Sequence, residues 1–347
     1  MPRVRYMLPE VNAQPEGRPT SCLYCGGSIL QRHGLVPKPI RDLYLHQVIV
    51  FRYRCTECGH TFRHYPQGVD SHDQSQRLRA LTALLWALGL SHQNISYLLT
   101  ALGPAIAKMT SWRDVQEAGG ILGKRPGRTG PIEVIGADET VVKVKGRKMV
   151  LGFVVDPATG ELLGLDLLME QDAQAFLNWL RPYVEKHGFQ VVVTDDLVTY
   201  KPALEELGVE HQVCLAHVRK NVARRLKESE GWVWEKEKIR ALMQELPPDG
   251  GKELLELEKG VREAPKLREL VVDLCEKWRS LVCCQRRLGV PGTNNRTEQG
   301  IGRSKIRYKT LRGYQSVAGM LNGLHLTQWV WRPRTVGDLT ALTPSKG

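Results

Sequence analysis

The sequence predicts a multidomain α+β fold, because stretches with three different patterns follow one another along its 347 residues. Two Cys-x-x-Cys pairs near the N-terminus enclose a stretch of alternating apolar and polar residues. Helical periodicity begins near Arg77, and strand-like and helical patterns alternate after a linker rich in Gly, Pro and Arg at residues 119–131. A chain of this length is expected to form two or three domains.

The chain is strongly basic, with 49 Lys and Arg against 37 Asp and Glu and a net charge of +12. Such an excess favours a polyanionic partner, either nucleic acid or an anionic membrane surface. The first 20 residues lack the apolar core of a signal peptide, and no apolar run is long enough for a membrane helix. We therefore expect a cytoplasmic, nucleoid-associated protein without a membrane partner, whose residues 1–20 form a flexible tail.

Four cysteines predict a zinc ribbon over residues 21–68. Cys22 and Cys25 form one Cys-x-x-Cys pair, Cys55 and Cys58 form the other, and each pair is followed by glycine. In a reducing compartment this spacing is typical of one tetrahedral Zn²⁺ site, in which metal binding supplies folding free energy to a segment without a large core. Four unligated core thiols and a redox-active pair are the alternatives.

Three short helices predict a helix-turn-helix domain at residues 70–118. Apolar residues recur with helical spacing in RLRALTALLWALGLS, HQNISYLLTALG and PAIAKMTSWRDVQEAGG, with breaks at Gly89 and at Gly103-Pro104. The third helix, residues 104–118, would be the recognition helix. The polar residues expected to face a DNA groove are Lys108, Ser111 and Arg113, and those expected in the core are Ile106, Met109 and Trp112. A three-helix bundle without a DNA role is the alternative.

Residues 132–226 predict an open mixed sheet. Strand patterns in PIEVIGADET, KMVLGFVVDPATG and ELLGLDLLME include a turn at Asp156 to Gly160, and an amphipathic helix then leads to the strand VVVTDD. The next segment, residues 227–290, is helical in pattern throughout. An α/β sheet with a separate all-α segment is therefore expected.

Two aspartates follow predicted strands. Asp138 ends PIEVIGAD and Asp195 follows VVVT, so both would reach one edge of the sheet if their strands are neighbours. Alternation along a strand allows only one of Asp195 and Asp196 to face inward. Adjacent carboxylates repel each other unless a cation lies between them, and their oxygens suit Mg²⁺ or Mn²⁺. The aspartates therefore predict a divalent-metal site.

A third acid, Glu298, lies near the start of a predicted helix in TNNRTEQGIGRSKIRYKTLRGY. Helical spacing places Gly302, Lys305 and Lys309 on or near its face. The cations of this segment are Arg296, Arg303, Lys305, Arg307, Lys309 and Arg312. Such a surface predicts phosphate binding, and three acids with two divalent ions could clamp an in-line displacement at phosphorus.

Residues 130–335 resemble the DDE transposases of bacterial insertion sequences, especially the Mutator-like branch with an α-helical insertion before its last glutamate. The resemblance rests on the order of GADET, TDD with Tyr200, HQVCLAH and TNNRTEQGIGRSK along the chain. It implies an RNase H-like catalytic core formed by residues 132–226 and 291–335, with the insertion at residues 227–290 between them.

The resemblance also implies roles for five side chains. Asp138, Asp195 and Glu298 match the family's catalytic triad, which binds two Mg²⁺ or Mn²⁺ ions. Cys214 and His217 match its Cys-x-x-His signature and are expected to pack beside the active site and orient it. The alternative is a separate zinc site that takes further ligands from Cys275, Cys283 and Cys284.

The function implied is that of a DNA transposase that binds terminal inverted repeats, cleaves the 3′ ends and transfers them into target DNA. Its partner would be double-stranded DNA, on which it would form a homodimer or higher oligomer. The residues expected to contact DNA are Lys108, Ser111, Arg113, Arg219, Arg303, Lys305, Arg307 and Lys309. A structure-specific RNase H-like nuclease and a non-enzymatic, transposase-derived regulator are the alternatives, and the presence of all three acids favours an enzyme.

Overall fold

A computed structural model describes residues 4–125, 127–128, 130–311, 313–332 and 334–344. The chain forms two compact units. The first contains residues up to Arg125 together with those from Ile306 onward, and the second runs from residue 126 to Lys305. Among the described residues, no helix is both long enough and apolar enough to span a bilayer.

The strands, in chain order, are β1 (Arg5–Met7), β2 (Leu30–Pro39), β3 (Gln47–Cys55), β4 (Thr61–His64), β5 (Val134–Val144), β6 (Arg147–Asp156), β7 (Glu161–Leu168), β8 (Val191–Thr194), β9 (Glu210–Val213) and β10 (Val336–Asp338). The α-helices are α1 (Gln76–Ala87), α2 (His92–Ala101), α3 (Lys108–Gly123), α4 (Ala173–His187), α5 (Tyr200–Glu206), α6 (Leu215–Lys227), α7 (Val233–Glu245), α8 (Gly250–Gly260), α9 (Pro265–Leu281), α10 (Cys283–Arg286), α11 (Asn295–Leu311) and α12 (Val317–Trp331). A short 3₁₀ helix, Leu339–Leu342, follows β10.

The strand-like stretch between the cysteine pairs is part of a three-stranded antiparallel sheet in the order β2-β3-β4. The apolar cluster beside the cysteines is small and contains Leu30, Tyr53 and Phe62 with the buried Cys22 and Cys55; Val48 and Val50 of β3 belong to a second small cluster. Few buried side chains give little hydrophobic stabilisation at the cysteine end, so a metal ion bound there would contribute to the folding free energy of this sheet.

The three helices predicted next are present in the first unit. Ser75 and Ser91 precede α1 and α2, and their side chains accept hydrogen bonds from the N–H groups of Leu78 and Asn94. Serine caps of this kind satisfy N–H groups that have no partner within the helix. The core of the bundle includes Leu78, Ile95, Leu99 and Val115 and, from α12, Leu326 and Val330.

The predicted linker at residues 119–131 begins too early. Helix α3 continues to Gly123, and it packs closely on α12. A Cβ at Gly119 would lie 2.2 Å from the carbonyl oxygen of Asn322 in α12, so this contact requires glycine. Residues 126 and 129 of the predicted linker lie outside the described residues, as do residues 1–3 of the predicted tail.

The predicted last segment of the catalytic core, residues 291–335, also needs correction. The second unit ends at Lys305, and the residues from Ile306 onward belong to the first unit. Helix α12 packs there because its apolar side chains complete the core of the α1–α3 bundle. The sequence order gave no sign of this return, since α12 is distant from α1–α3 along the chain.

The second unit contains the open mixed sheet that the sequence predicts. Its strand order is β7-β6-β5-β8-β9. Strands β5, β6 and β7 are antiparallel neighbours, whereas β8 and β9 run parallel to β5. The predicted turn closes with the N–H of Gly160 donating to the carbonyl of Asp156 at 2.7 Å. One face of the sheet packs against α4 in a core that includes Ile135, Ala137, Val154, Phe176 and Leu180.

The segment predicted to be all-α contains α7, α8, α9 and α10. These helices pack with α6 around an apolar core of their own, which includes Leu226, Ile239, Leu254, Leu274 and Trp278. The helical segment therefore brings most of the hydrophobic surface that it buries, which allows it to interrupt the chain between β9 and α11.

Candidate functional site

The four cysteines predicted to bind zinc converge. Their Sγ atoms all lie within 4.8 Å of one another, with 3.7 Å between those of Cys22 and Cys58 and 3.6 Å between those of Cys25 and Cys55. A tetrahedral ion with Zn–S bonds of about 2.3 Å separates its sulfurs by about 3.8 Å. The glycine after each pair has a left-handed φ, +75° and +74°, which allows the tight turn that aims the second thiol back at the first. The cysteines therefore fit one Zn²⁺ ion.

Asp138 lies within a strand rather than at its end, which corrects the prediction. Strand β5 continues for six residues beyond Asp138, but the neighbouring β8 ends at Thr194. The parallel register pairs Gly136 with Val193, so Asp138 and Asp195 each lie two residues beyond this pair. Because side chains alternate along strands, the two aspartates share one face of the sheet. The condition that their strands are neighbours is met, since β5 pairs with β8.

The start of α11 is anchored on β5 beside these aspartates. The side-chain amide of Asn294 donates to the carbonyl of Ala137 at 2.9 Å. A Cβ at Gly136 would lie 2.1 Å from Oγ1 of Thr297, so only glycine allows this approach. Glu298 lies in the first turn of α11, as the sequence predicts. The anchor therefore brings a third carboxylate to the face of β5 that carries Asp138.

The three acids interact electrostatically. Burial, followed by the charges of Asp195, Glu139 and Glu298, raises the pKa of Asp138 to about 7. Burial is also the largest cause of the raised pKa of Asp195, to which Glu298 contributes. The folded chain thus collects carboxylates whose negative charges oppose one another. A divalent cation between them would relieve the repulsion, and an all-oxygen donor set suits Mg²⁺ or Mn²⁺.

The adjacent Asp195 and Asp196 have different partners. Asp196 accepts a hydrogen bond from Nζ of Lys277 in α9 at 2.7 Å, so it pairs with the helical segment. Asp195 instead accepts the N–H of Leu197 at 3.2 Å through Oδ1 and lies near Asp138 and Glu298. Helix α9 therefore supplies a cation for Asp196, whereas Asp195 faces the other acids.

Glu139 and Tyr200 adjoin the three acids, although the sequence pattern did not single out Glu139. The N–H of Glu139 donates to Oδ1 of Asp138 at 2.8 Å. Its carboxylate accepts hydrogen bonds from the hydroxyl of Tyr200 and from Gln171, and burial raises its pKa. Tyr200 is fully buried and stacks on Phe176 with 4.3 Å between ring centroids. The available signal was the direct adjacency of two acids in GADET.

Cys214 and His217 lie beside Glu298. Cys214 precedes the first residue of α6, where its Sγ accepts the N–H of Asn294 at 3.4 Å. His217 follows one helical turn later, with 3.8 Å between its Nδ1 and Oε1 of Glu298. The cysteines considered as further zinc ligands are not part of this group of ligand-type atoms, which within the described residues consists of Cys214, His217 and Glu298.

The predicted recognition helix begins and ends later in the chain than expected, and it faces a different way. Helix α3 begins at Lys108 rather than at residue 104. Ser111 is fully buried, and its hydroxyl hydrogen-bonds to a histidine of α2 at 3.0 Å, so its assignment to DNA is wrong. Met109 and Trp112, expected in the core, are 53% and 42% exposed. Lys108 and Arg113 are exposed, which leaves them able to contact a ligand.

Arg307 has a structural environment, which corrects the prediction that it contacts DNA. It is only 2% exposed. Its guanidinium donates to the carbonyls of Gly89 and Leu90 at 2.8 and 2.6 Å and lies 4.7 Å from the ring centre of Trp86. The positive charge therefore joins α11 to the turn after α1 within the first unit.

The other predicted DNA contacts keep accessible surface. Arg219 is exposed, although its Nε donates to a carbonyl near the end of α7 at 3.0 Å. Arg303 is half-buried and donates to the carbonyl of the turn between β6 and β7 at 3.1 Å. Lys305 is half-buried and Lys309 is exposed. Arg312 lies outside the described residues.

Comparisons with known proteins give no family for the chain. No protein-family model and no curated protein matches it. Among solved structures, a chain from the intasome of simian T-cell lymphotropic virus in complex with PP2A regulatory subunit B56 gamma is 16% identical, with a TM-score of 0.21 over 38% of this chain and 51% of that one. This chain therefore matches only about half the length of that relative.

A second solved structure is the HTLV-2 integrase catalytic core domain in complex with magnesium. It is 19% identical, with a TM-score of 0.21 over 28% of this chain and 72% of that one. Similarity at this level does not decide the fold or the activity of the present chain.

Proposed function

We propose that this chain is a metal-dependent DNA transposase of the DDE type. It would bind the terminal inverted repeats of its element, cleave the transposon 3′ ends and join them to target DNA. The observation that carries the proposal is the convergence of Asp138, Asp195 and Glu298, which come from two parallel strands and a helix distant in sequence. An acidic group of this kind in a chain of net charge +12 suits a reaction on a polyanion.

The topology of the second unit supports an RNase H-like core. The first strand of the sheet, β5, is central, with its antiparallel partners on one side and the parallel β8 and β9 on the other. The three acids lie on the first strand, after the fourth strand and on the helix that follows the all-α segment. This is the order that the resemblance to DDE transposases implies.

The carboxylates of Asp138, Asp195 and Glu298 would hold two Mg²⁺ or Mn²⁺ ions. When bound, such ions activate water and offset the negative charge that develops during in-line displacement at phosphorus. The N–H groups of Glu139 and Leu197 orient the aspartates by donating to their Oδ1 atoms. With this chemistry the protein needs neither a side-chain general base nor a covalent intermediate.

A basic helix face supports DNA as the substrate. The buried residues of α6 recur at three- and four-residue spacing, and the opposite face carries His217, Lys220, Arg224 and Lys227. This face begins near Glu298 and extends along the helix for about 15 Å, at a rise of about 1.5 Å per residue. Phosphate contacts there would position a duplex without reading its bases.

The test uses a linear duplex that carries the inverted repeats flanking the gene, incubated with Mg²⁺. We expect Asp138→Asn, Asp195→Asn and Glu298→Gln each to lower cleavage and strand transfer by at least about a thousandfold, because groups that act as a unit fail together. Binding to the duplex should remain near that of the original chain, since the acids hold metal rather than phosphate. Cleavage, joining and binding are measured on the same preparations.

Asp196→Asn is the matched control, because it removes an adjacent carboxylate whose partner is Lys277. Its cleavage should stay within several-fold of the original. Loss of cleavage in Asp196→Asn with retention in Asp195→Asn would contradict the assignment. Equal cleavage of branched DNA without repeats would indicate a structure-specific nuclease instead, and tight repeat binding without metal-dependent cleavage would indicate a regulator.

A further inference from the structure

A second group of ligand-type atoms lies at the edge of the three acids. One donor atom each from Cys214, His217 and Glu298 lies within 4.8 Å of the others. Cys214 and His217 belong to one turn at the start of α6, and Glu298 belongs to the first turn of α11. The two helix starts are joined directly, because the N–H of Asn294 donates to Sγ of Cys214 at 3.4 Å. The three side chains are therefore positioned by the starts of two helices that contact each other.

The imidazole of His217 has a buried nitrogen without a hydrogen-bond partner among the described residues. Its Nδ1 atom is buried and accepts or donates no hydrogen bond within the described part of the chain, although the ring as a whole is 43% exposed. A buried polar atom without a partner costs free energy, and such atoms in folded proteins usually bind an ion or another ligand. The nearest acidic oxygen, Oε1 of Glu298, is 3.8 Å away, which leaves space for an ion between them.

The donor set is chemically different from that of the three acids. Asp138, Asp195 and Glu298 offer only oxygens, which suit Mg²⁺, whereas a thiolate, an imidazole and a carboxylate suit Zn²⁺. Three protein ligands and a water in the fourth position are a common zinc coordination. The thiol of Cys214 would release its proton to solvent on binding.

We propose that Cys214, His217 and Glu298 bind one Zn²⁺ ion, in addition to the ion held by the ribbon cysteines. Ligand atoms around tetrahedral zinc lie about 3.3 to 3.8 Å apart, so donors within 4.8 Å must approach by up to about an ångström. The ribbon sulfurs at 3.6 and 3.7 Å need no such movement. The second ion therefore binds more weakly than the first and exchanges with zinc in solution.

Because Glu298 belongs to both groups, zinc at this site competes with the all-oxygen site. When Glu298 coordinates zinc together with Cys214 and His217, its carboxylate is not available to bind a metal ion with Asp138 and Asp195. Zinc then inhibits the Mg²⁺-dependent reaction, and this consequence rests on the proposed function. Binding of the ion itself does not depend on what the chain catalyses.

The binding test uses the full chain loaded with one zinc per chain, verified by elemental analysis after removal of excess metal. Of the two sites that contain a thiolate, added Co²⁺ should fill only the second, because Zn²⁺ binds more tightly than Co²⁺ to the ribbon thiolates. We expect a thiolate-to-cobalt absorption band that saturates at one Co²⁺ per chain. Cys214→Ser should lose the band, and His217→Gln should weaken cobalt binding by more than about tenfold.

Cys284→Ser is the matched control, since Cys284 is a half-buried cysteine outside the group. It should keep the band, and thermal unfolding of each variant verifies that the fold is retained. Absence of the band in the original chain, or its persistence in both Cys214→Ser and His217→Gln, would overturn the proposal.

The inhibition test compares cleavage with and without added Zn²⁺ for each protein. We expect added Zn²⁺ to lower the cleavage rate of the original chain by about tenfold once the second site is filled. The cleavage rate of Cys214→Ser should change little on the same addition, because the substitution lowers its zinc affinity by a comparable or larger factor. Equal inhibition of both proteins would show that zinc acts elsewhere and would overturn the competition for Glu298. A cobalt band in a chain that cleaves no DNA would leave the metal site standing and reject the proposed function.

Discussion

Asp138 is a buried carboxyl that lies near other acids. Its carboxyl is held by the N–H of Glu139 and faces two other acids, and burial is the largest cause that raises its pKa from 3.8 to about 7. Between these values the folded chain binds a proton that the unfolded chain has released. Linkage then makes the free energy of unfolding decrease as pH rises from about 4 to about 7.

The prediction is that the Mg²⁺-free protein becomes less stable as pH rises through this window, and that saturating Mg²⁺ reduces the decrease by replacing the proton. Asp138→Asn should show a flatter profile, because its amide does not titrate. Denaturant unfolding at several pH values, with and without Mg²⁺, measures both effects. A profile of Asp138→Asn as steep as that of the original chain would assign the dependence to other groups.

Arg307 illustrates a cation that stabilises the fold rather than binding a ligand. Its guanidinium holds two carbonyls of the turn after α1 and lies over Trp86. We expect Arg307→Lys to lower the free energy of unfolding by about 2–3 kcal/mol, because hydrogen bonds from a buried charged group to two backbone carbonyls are removed. The salt dependence of DNA binding should not change. A changed salt slope at unchanged stability would restore Arg307 as a phosphate contact.

For individual residues, the sequence predicted which side chains form the candidate sites better than it predicted which side chains are buried. Three acids and four cysteines were predicted to converge. The cysteine sulfurs lie within 4.8 Å of one another, and the acids are near enough for the charges of Asp195 and Glu298 to raise the pKa of Asp138. Arg307 and Ser111 were assigned to DNA because they are polar within basic segments, but both are buried. Helical periodicity does not reveal which backbone carbonyls will lie next to a side chain, since that depends on elements distant in sequence.

At the scale of elements, one close approach positions α11. Gly136 of β5 has no side chain, and a Cβ there would lie 2.1 Å from Oγ1 of Thr297 and 2.7 Å from Oδ1 of Asn294. Thr297 lies in the first turn of α11 beside Glu298, and Asn294 directly precedes the helix. The position of the third acid therefore depends on a glycine two residues before the first acid, Asp138.

We predict that Gly136→Ala lowers the free energy of unfolding by about 1–3 kcal/mol through overpacking and lowers cleavage by about a hundredfold, because a displacement near 1 Å disrupts catalytic geometry. Gly302→Ala is the control within α11, since a Cβ there meets nothing within 4 Å. It should be neutral or stabilising by up to about 1 kcal/mol. Cleavage by Gly136→Ala at the original rate would show that α11 is not positioned by this contact.

The elements themselves were largely predictable, because their patterns are local. Strands β5 to β8, helices α1 to α4 and the helical segment follow from apolar spacing and turn residues. Strand β9 was not recognised, since its four residues, EHQV, carry too short a pattern. The return of α12 to the first unit was equally hidden, because its partners lie in α1 and α3.

At the scale of the whole molecule, a net charge of +12 predicts strongly salt-dependent binding to DNA. Exposure now separates cations that are free to contact phosphate from those used within the fold. Lys220 and Lys309 are exposed and Lys305 is half-buried, whereas Arg307 is enclosed. Lys220 lies on α6, and Lys305 and Lys309 lie on α11; the starts of these two helices meet at Glu298.

The last prediction follows from that distribution. Replacing Lys220, Lys305 or Lys309 by Gln should weaken binding to repeat-containing and random duplexes by similar factors, and each replacement should lower the slope of log K against log salt by about 0.9, the value for one neutralised phosphate. Lys266→Gln, an exposed cation on α9, is the control that should leave the slope unchanged. Arg113→Gln in α3 should instead erode preference for the repeats. Loss of preference without a change in slope for the first three variants would show that they contact bases, because only phosphate contacts release counterions without regard to sequence.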